Sequence, residues 1–204
     1  MRKEFRLSNY DASFELTRYL IEQGGLELIK DARMKELAQY GMIGSACTDG
    51  RYSLFIANGW SKYSDIQHFN RSHGGGFMLG LIDPALYDIN PKHWEYISSA
   101  RQVILQDLRD ALAEHIGKVV LCVIHGPNCK KMKGLDLAYH NMILAALASD
   151  DFATKALGVI EDVVLPILIV DWTPDVTDVR SKSVEAYVVK NACRTLIPEY
   201  LETH

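Results

Sequence analysis

The stretch Val119-Val120-Leu121-Cys122-Val123-Ile124 constrains the fold more than any other part of the chain. An unbroken apolar run rich in β-branched residues is the pattern of a strand buried on both faces, since an exposed face calls for alternating polar side chains. The run stops at His125-Gly126-Pro127, where Gly and Pro end regular structure. Ahead of it, Asn90 as cap and Pro91 at the first helical position open a long helix. Its apolar positions Trp94, Ile97, Ile104, Leu108, Ala111, Leu112 and Ile116 repeat near a 3.6-residue period and are read as core, Trp94 included; Gly117 ends it. A helix that feeds such a strand has the β-helix-β sense of a parallel sheet. The expected fold is therefore α/β, with a mostly parallel central sheet flanked by helices. With 204 residues and 48% hydrophobic content, a single domain over 1–204 with a sizeable core is expected.

A shorter apolar run, Met42-Ile43-Gly44-Ser45-Ala46, opens into Cys47-Thr48-Asp49-Gly50-Arg51. This Cys-x-Asp-x-Arg places a thiol, a carboxylate and a guanidinium at a strand end, where a loop can turn all three toward one pocket. A guanidinium beside a carboxylate holds it ionised and oriented, because the two planar groups match. Taken alone, the triplet is more often a free Cys followed by a surface Asp–Arg pair. The second run adds a strand-end His125, with Cys129 four residues on. Cys47, His125 and Cys129 together make a set suited to zinc, since catalytic zinc sites use three protein ligands and leave a fourth position open.

These motifs, in this order, resemble the β-class carbonic anhydrases. That family carries Cys-x-Asp-x-Arg after its first strand and a His…Cys pair after a later one. Between them lies a strand leading into an Arg-Asn-Ala-Gly-Gly-like turn, and its counterpart here is Asp65-Ile66-Gln67-His68-Phe69-Asn70-Arg71-Ser72-His73-Gly74-Gly75-Gly76, with the strand over Asp65 to Asn70. The resemblance covers roughly residues 42 to 145. Two departures stand out. Gly126-Pro127-Asn128 puts three residues between His125 and Cys129 where the family has two, and the segment from Arg71 to His125 is longer than the family's.

The resemblance implies a β-carbonic anhydrase-like domain holding one zinc ion through Cys47, His125 and Cys129. Zinc lowers the pKa of its water from ~15.7 to about 7, which suits hydration of carbon dioxide to bicarbonate. Asp49 would orient the hydroxide and Arg51 would restrain Asp49, which can also swing onto zinc and close the site. Hydrolysis of carbon disulfide or carbonyl sulfide on the same scaffold, a non-catalytic zinc-binding relative, and a metal-free α/β interaction protein are the other readings. The family's N-terminal helical arm packs across a dimer partner, so a homodimer or higher homo-oligomer is expected. His73 stands where the family has a small residue and can approach the metal pocket, as proton shuttle or fourth ligand.

The rest of the chain bounds partners and location. A formal charge of −4 with no basic cluster argues against nucleic acid. No apolar run approaches the roughly 20 residues that span a bilayer. Met1-Arg2-Lys3-Glu4-Phe5-Arg6 has no apolar signal region behind it, and four irregularly spaced cysteines read as reduced thiols, so a cytoplasmic protein is expected. Residues 1–41 form the helical arm. One helix, with Phe14, Leu16, Tyr19, Leu20 and Ile21, is ended by Gly24-Gly25; a second carries Leu26, Ile29, Met34 and Leu37.

Tyr52 to Trp60 is read as a short helix or turn, and residues 79–90 as turns. After Cys129, the basic Lys130-Lys131-Met132-Lys133 is a solvated face or an anion attractor. Leu135 to Ala148 is a helix, with a shorter one from Asp150-Asp151. Residues 163–204 supply edge strands and a terminal helix. Val163 to Trp172 is interrupted by Pro166, which argues for an edge or a bulge; Thr173 to Ser183 is a loop, Val184 to Val189 a return strand, and Ala192 to His204 a helix. His73-Gly74-Gly75-Gly76-Phe77 also reads like an esterase oxyanion turn, but no Gly-x-Ser-x-Gly elbow follows. His68, His115 and His140 are read as surface or hydrogen-bonded histidines.

Overall fold

The computed structural model describes residues 10–37, 42–47, 69–73, 90–114, 119–125, 134–135, 137–156, 164–172 and 184–204. The first helix, α1 (Tyr10–Glu22), buries Ser13, Phe14, Leu16, Thr17 and Leu20, one stripe of a 3.6-residue period. Gly24 ends it at φ 73, with Gly24 N donating to Ile21 O (3.1 Å) and Gly25 N to Leu20 O (2.7 Å). This is the crossed pair of bonds that closes a helix on a left-handed glycine. The chain then leaves as strand β1 (Leu26–Leu28), and α2 is confined to Asp31–Leu37. The second helix expected from Leu26 onward is thus corrected: Leu26 to Leu28 pair antiparallel with strand β6 (Val184–Val189). Three residues are too few for alternation to betray a strand, and it is the distant partner that makes it one.

The remaining elements are β2 (Met42–Cys47), β3 (Phe69–His73), a 3-10 turn (Pro91–His93) running into α3 (Trp94–Glu114), β4 (Val119–His125), α4 (Tyr139–Ala156), β5 (Val164–Asp171) and α5 (Cys193–Thr203). They build a 6-stranded sheet in the order β1-β6-β5-β4-β2-β3. The β5–β6 and β1–β6 ladders are antiparallel, while β4–β5, β2–β4 and β2–β3 are parallel. The strand with Arg71 therefore runs on through Ser72 to His73 rather than stopping at Asn70.

Pro166 does not mark an edge: β5 lies between β4 and β6. The β6 ladder begins only at Ile167, paired with Val188, so the residue without an N–H sits just past the end of that ladder. Ile167, Leu168, Ile169 and Val170 are all buried, so both faces of β5 are covered. The edge on this side of the sheet belongs instead to β1.

The core joins α1, α4 and α5 to β5 and β6. Leu16, Leu20, Met142, Ile143, Leu147, Leu168, Val170, Cys193 and Ile197 are among its best-buried members, with Ile97 of α3 joining them. On α5 the buried Cys193, Ile197 and Tyr200 recur at the four- and three-residue steps of a single stripe. Two helix expectations need correction. The chain runs as one helix through Asp150-Asp151, without a break, and Trp94 is 44% exposed instead of core. Asn90 does cap the turn, its Oδ1 accepting from Lys92 N at 3.1 Å, but Trp94 then falls in the first turn of α3, ahead of Ile97, where the helix meets the core.

Candidate metal centre

Cys47 is the last residue of β2, His73 the last of β3, and His125 the last of β4. These three strands are neighbours in the order β4-β2-β3 and run parallel, so their carboxyl ends lie along one edge of the sheet. Cys47 and His73 are Cα partners on the final rung of the β2–β3 ladder. The β2–β4 ladder pairs Met42 with Val119 through to Ser45 with Cys122; two residues further, Cys47 stands level with Ile124, and His125 one step beyond.

Topology singles out the same place. β3 follows β2 on one side of it, whereas β4, next in the chain, lies on the other side. Successive connections therefore depart in opposite directions at the β2–β4 boundary. In open sheets with parallel strands the crevice outside the carboxyl ends at such a reversal is where ligands bind. Cys47 and His125 end the two strands that flank it. Cys129, Asp49 and Arg51 lie outside the described residues, as do Gly74-Gly75-Gly76, His68, His115, the basic Lys130 to Lys133, the Tyr52–Trp60 stretch and the Thr173–Ser183 loop. Among the described residues no group of three or more His, Cys, Asp or Glu side chains is gathered to hold a metal ion.

A second polar cluster, not read from the sequence, sits beyond the end of β5. Glu185 Oε2 accepts from Trp172 Nε1 at 2.6 Å and also from the Tyr187 hydroxyl. Burial, reinforced by the hydrogen bond to Glu185 and its charge, pushes the Tyr187 phenol well above its usual range. The Trp172 ring stacks on Phe14 at 5.3 Å between centroids, and the Arg18 guanidinium lies 5.9 Å from its centroid. The cluster ties α1 to the β5–β6 hairpin. The only sequence trace of it is the two-residue spacing of Glu185 and Tyr187, which puts them on one face of β6.

Three further buried groups lie on α1, α4 and α5. Thr17 Oγ1 donates to Ser13 O at 2.8 Å, so the 2.8 Å bond between Thr17 Oγ1 and the Tyr139 hydroxyl has Tyr139 as donor. His140 is not a surface residue, as one reading had it: it is 8% exposed, and its Nδ1 is buried with no hydrogen-bond partner among the described residues. Burial holds its imidazole down at about 4. Cys193 is a free buried thiol, pushed up to about 11 chiefly by burial, and donates to Gly25 O at 3.1 Å.

Comparison of the chain with protein-family models, with curated proteins and with solved structures finds no match. No helix among the described residues is long and apolar enough to cross a membrane.

Proposed function

We propose that this chain is a zinc-dependent enzyme that hydrates carbon dioxide to bicarbonate, on a mostly parallel α/β sheet of the β-carbonic anhydrase kind. What supports this reading is that Cys47 and His125 are the last residues of adjacent parallel strands, one rung apart, at the reversal of strand order. A thiolate and an imidazole at neighbouring strand ends fit zinc by donor type, and Cys129 is the proposed third ligand. On this reading the extra residue before Cys129 is expected to be taken up at Gly126-Pro127, since Gly tolerates positive φ and Pro fixes the next φ near about −65°.

Zinc held there supplies a Lewis acid that makes water nucleophilic near neutral pH. Asp49 accepts a hydrogen bond from the attacking water and aims its lone pair at the carbon of carbon dioxide. Arg51 keeps Asp49 ionised and fixes its direction through its guanidinium fork. On this reading the protein works in the cytoplasm as a homodimer or higher homo-oligomer, without nucleic acid or membrane as partner.

Metal analysis of the purified protein tests the centre. One zinc per chain is expected, with Zn–S near ~2.3 Å, and Cys47→Ser releases it. Stoichiometric zinc retained in Cys47→Ser, or a metal-free parent protein, overturns the assignment. Asp49→Ala is expected to keep its zinc but lose most carbon dioxide hydration; hydration at the parent rate would remove Asp49 from the mechanism.

A further inference from the structure

We infer that the first turn of α4 is an acid-sensitive latch on α1, held shut by a neutral His140 and opened when that imidazole takes up a proton. The device is independent of the zinc reading above. Ala138 O accepts the first bond of α4 from Met142 N at 3.3 Å, so Tyr139 and His140 are the first two helical residues. His140 is 8% exposed, and its Nδ1 is buried without a hydrogen-bond partner among the described residues. Beside it, the Tyr139 hydroxyl donates to Thr17 Oγ1 of α1 at 2.8 Å, and both of these side chains are buried. One helical turn thus carries both the partnerless imidazole and a polar tie to α1.

Three features make this place hostile to a positive charge. The ring is shut off from water. The positive end of the helix dipole lies at the same turn, which has no acidic residue to offset it. The charged and titratable groups on neighbouring elements are engaged with other partners: Glu185 of β6 with Trp172 and Tyr187, Arg194 of α5 with Leu147 O, and Cys193 with Gly25 O. On α1, Glu15 and Arg18 are exposed, and on β5 the described side chains from Pro166 to Val170 are apolar. Asp171 of β5, with Cys122 and His125 of β4, lies outside the described side chains. Among the described residues burial alone acts on His140, and it holds the imidazole down at about 4.

The simpler account is a core histidine that only weakens the whole domain in acid. Its place weighs against that account, because a helix end opens locally at less cost than the domain unfolds. Unwinding this one turn gives His140 water while Ile143, Ala146 and Leu147 stay in the core. Tyr139 leaves with the same turn, and its bond to Thr17 breaks. The closed form binds the proton more weakly than the open one, so acid drives opening. The shut form is fully favoured above about pH 6.5, and the shift is complete below about 4, a change of about 300-fold in the opening equilibrium.

Site-resolved hydrogen exchange of the full chain between pH 7 and 4, corrected for the intrinsic rate at each pH, is the experiment. In the parent, the Met142 amide loses protection below about pH 6.5, by up to about tenfold per unit, while the Leu168 amide inside the sheet keeps its own. In His140→Leu, and equally in the polar but non-titrating His140→Gln, Met142 protection no longer follows pH. The coupling between Thr17→Val and Tyr139→Phe, read from urea unfolding of the single and double variants, is present at pH 7. At pH 4 it vanishes in the parent and persists in the His140→Leu background. If Met142 and Leu168 lose protection in step, the acid effect is global and the inference fails. It fails equally if His140→Leu and His140→Gln keep the parent's pH dependence, or if the Thr17–Tyr139 coupling survives at pH 4 in the parent.

Discussion

Gly25→Ala is the sharpest test of how the two ends of the sheet's antiparallel half are held together. Gly25 is buried, and its carbonyl accepts from Lys190 N at 2.9 Å and from Cys193 Sγ at 3.1 Å. A Cβ built on Gly25 would stand 2.9 Å from Cys193 Sγ, 2.9 Å from Leu196 Cδ1 and 3.3 Å from Leu20 O. Leu196 Cδ1 is the far end of a side chain and can rotate away. Cys193 Sγ cannot retreat without giving up its hydrogen bond, and Leu20 O is held by Gly25 N. The added methyl therefore overpacks the junction, at about 1–3 kcal/mol. For a chain of this size that lowers Tm by roughly 2–12 °C, at about 2–4 °C per kcal/mol. Thermal and urea unfolding of Gly25→Ala, Cys193→Ala and the double variant measure both the loss and its origin. Removing Sγ takes away the nearest immovable obstacle, so Gly25→Ala costs less in the Cys193→Ala background, by about 0.5 kcal/mol or more. An unchanged Tm for Gly25→Ala, or strictly additive single variants, would refute the packing argument.

Two other outcomes follow from buried polar groups. Thr17→Val strands the Tyr139 hydroxyl in a fully buried place and should cost about 1–3 kcal/mol. Tyr139→Phe leaves Thr17 its bond to Ser13 O and should cost only about 0.5–1.5. Urea unfolding of the two single variants and the pair checks the order, and equal costs would contradict the assigned donor. His140 gives a pH signature. Its folded value, about 4, lies below the ordinary histidine value of 6.5, so the unfolded chain takes up the proton first as acid is added. The stability contribution is full above about pH 6.5 and is lost as pH falls through 4, up to about 3 kcal/mol. Unfolding midpoints between pH 7 and 4 should fall less steeply in His140→Leu than in the parent; parallel slopes would place the titration elsewhere.

The helix α1, its glycine stop and the strands ending at Cys47 and His125 were legible because each is written in contiguous residues: a 3.6-residue stripe, a Gly-Gly pair, an unbroken apolar run. What was not legible depends on distant partners. Leu26–Leu28 becomes a strand only because β6 lies beside it, and Pro166 sits inside the sheet because the β5–β6 ladder ends at Ile167, one residue before it. Trp94 matches the periodicity of α3, yet periodicity says nothing of where along its length a helix first meets the core. His140 illustrates the same gap for a polar residue, since burial is a property of the packed molecule. At the candidate site, the residue types at the strand ends could be read in advance, but the rung shared by Cys47 and His73 could not, because register is decided between strands.

The pairing of β1 with β6 also fixes an order of events as the protein is made. Leu26 pairs with Val189, a separation of 163 residues (189 − 26). The buried stripe of α1 leans on α5, and the aromatic stack on Phe14 comes from Trp172. During synthesis the segment from Tyr10 to Leu28 leaves the ribosome early, yet its lattice of partners is completed only with residues 184–203. Its Phe14, Leu16 and Leu20 must wait uncovered while the intervening chain is built. A native state dominated by so remote a closure forms slowly, since the entropy of the large loop is lost before the contact is gained. The exposed interval is thus the first helix's, and a chaperone that shields the nascent chain should engage it there until the last strand arrives.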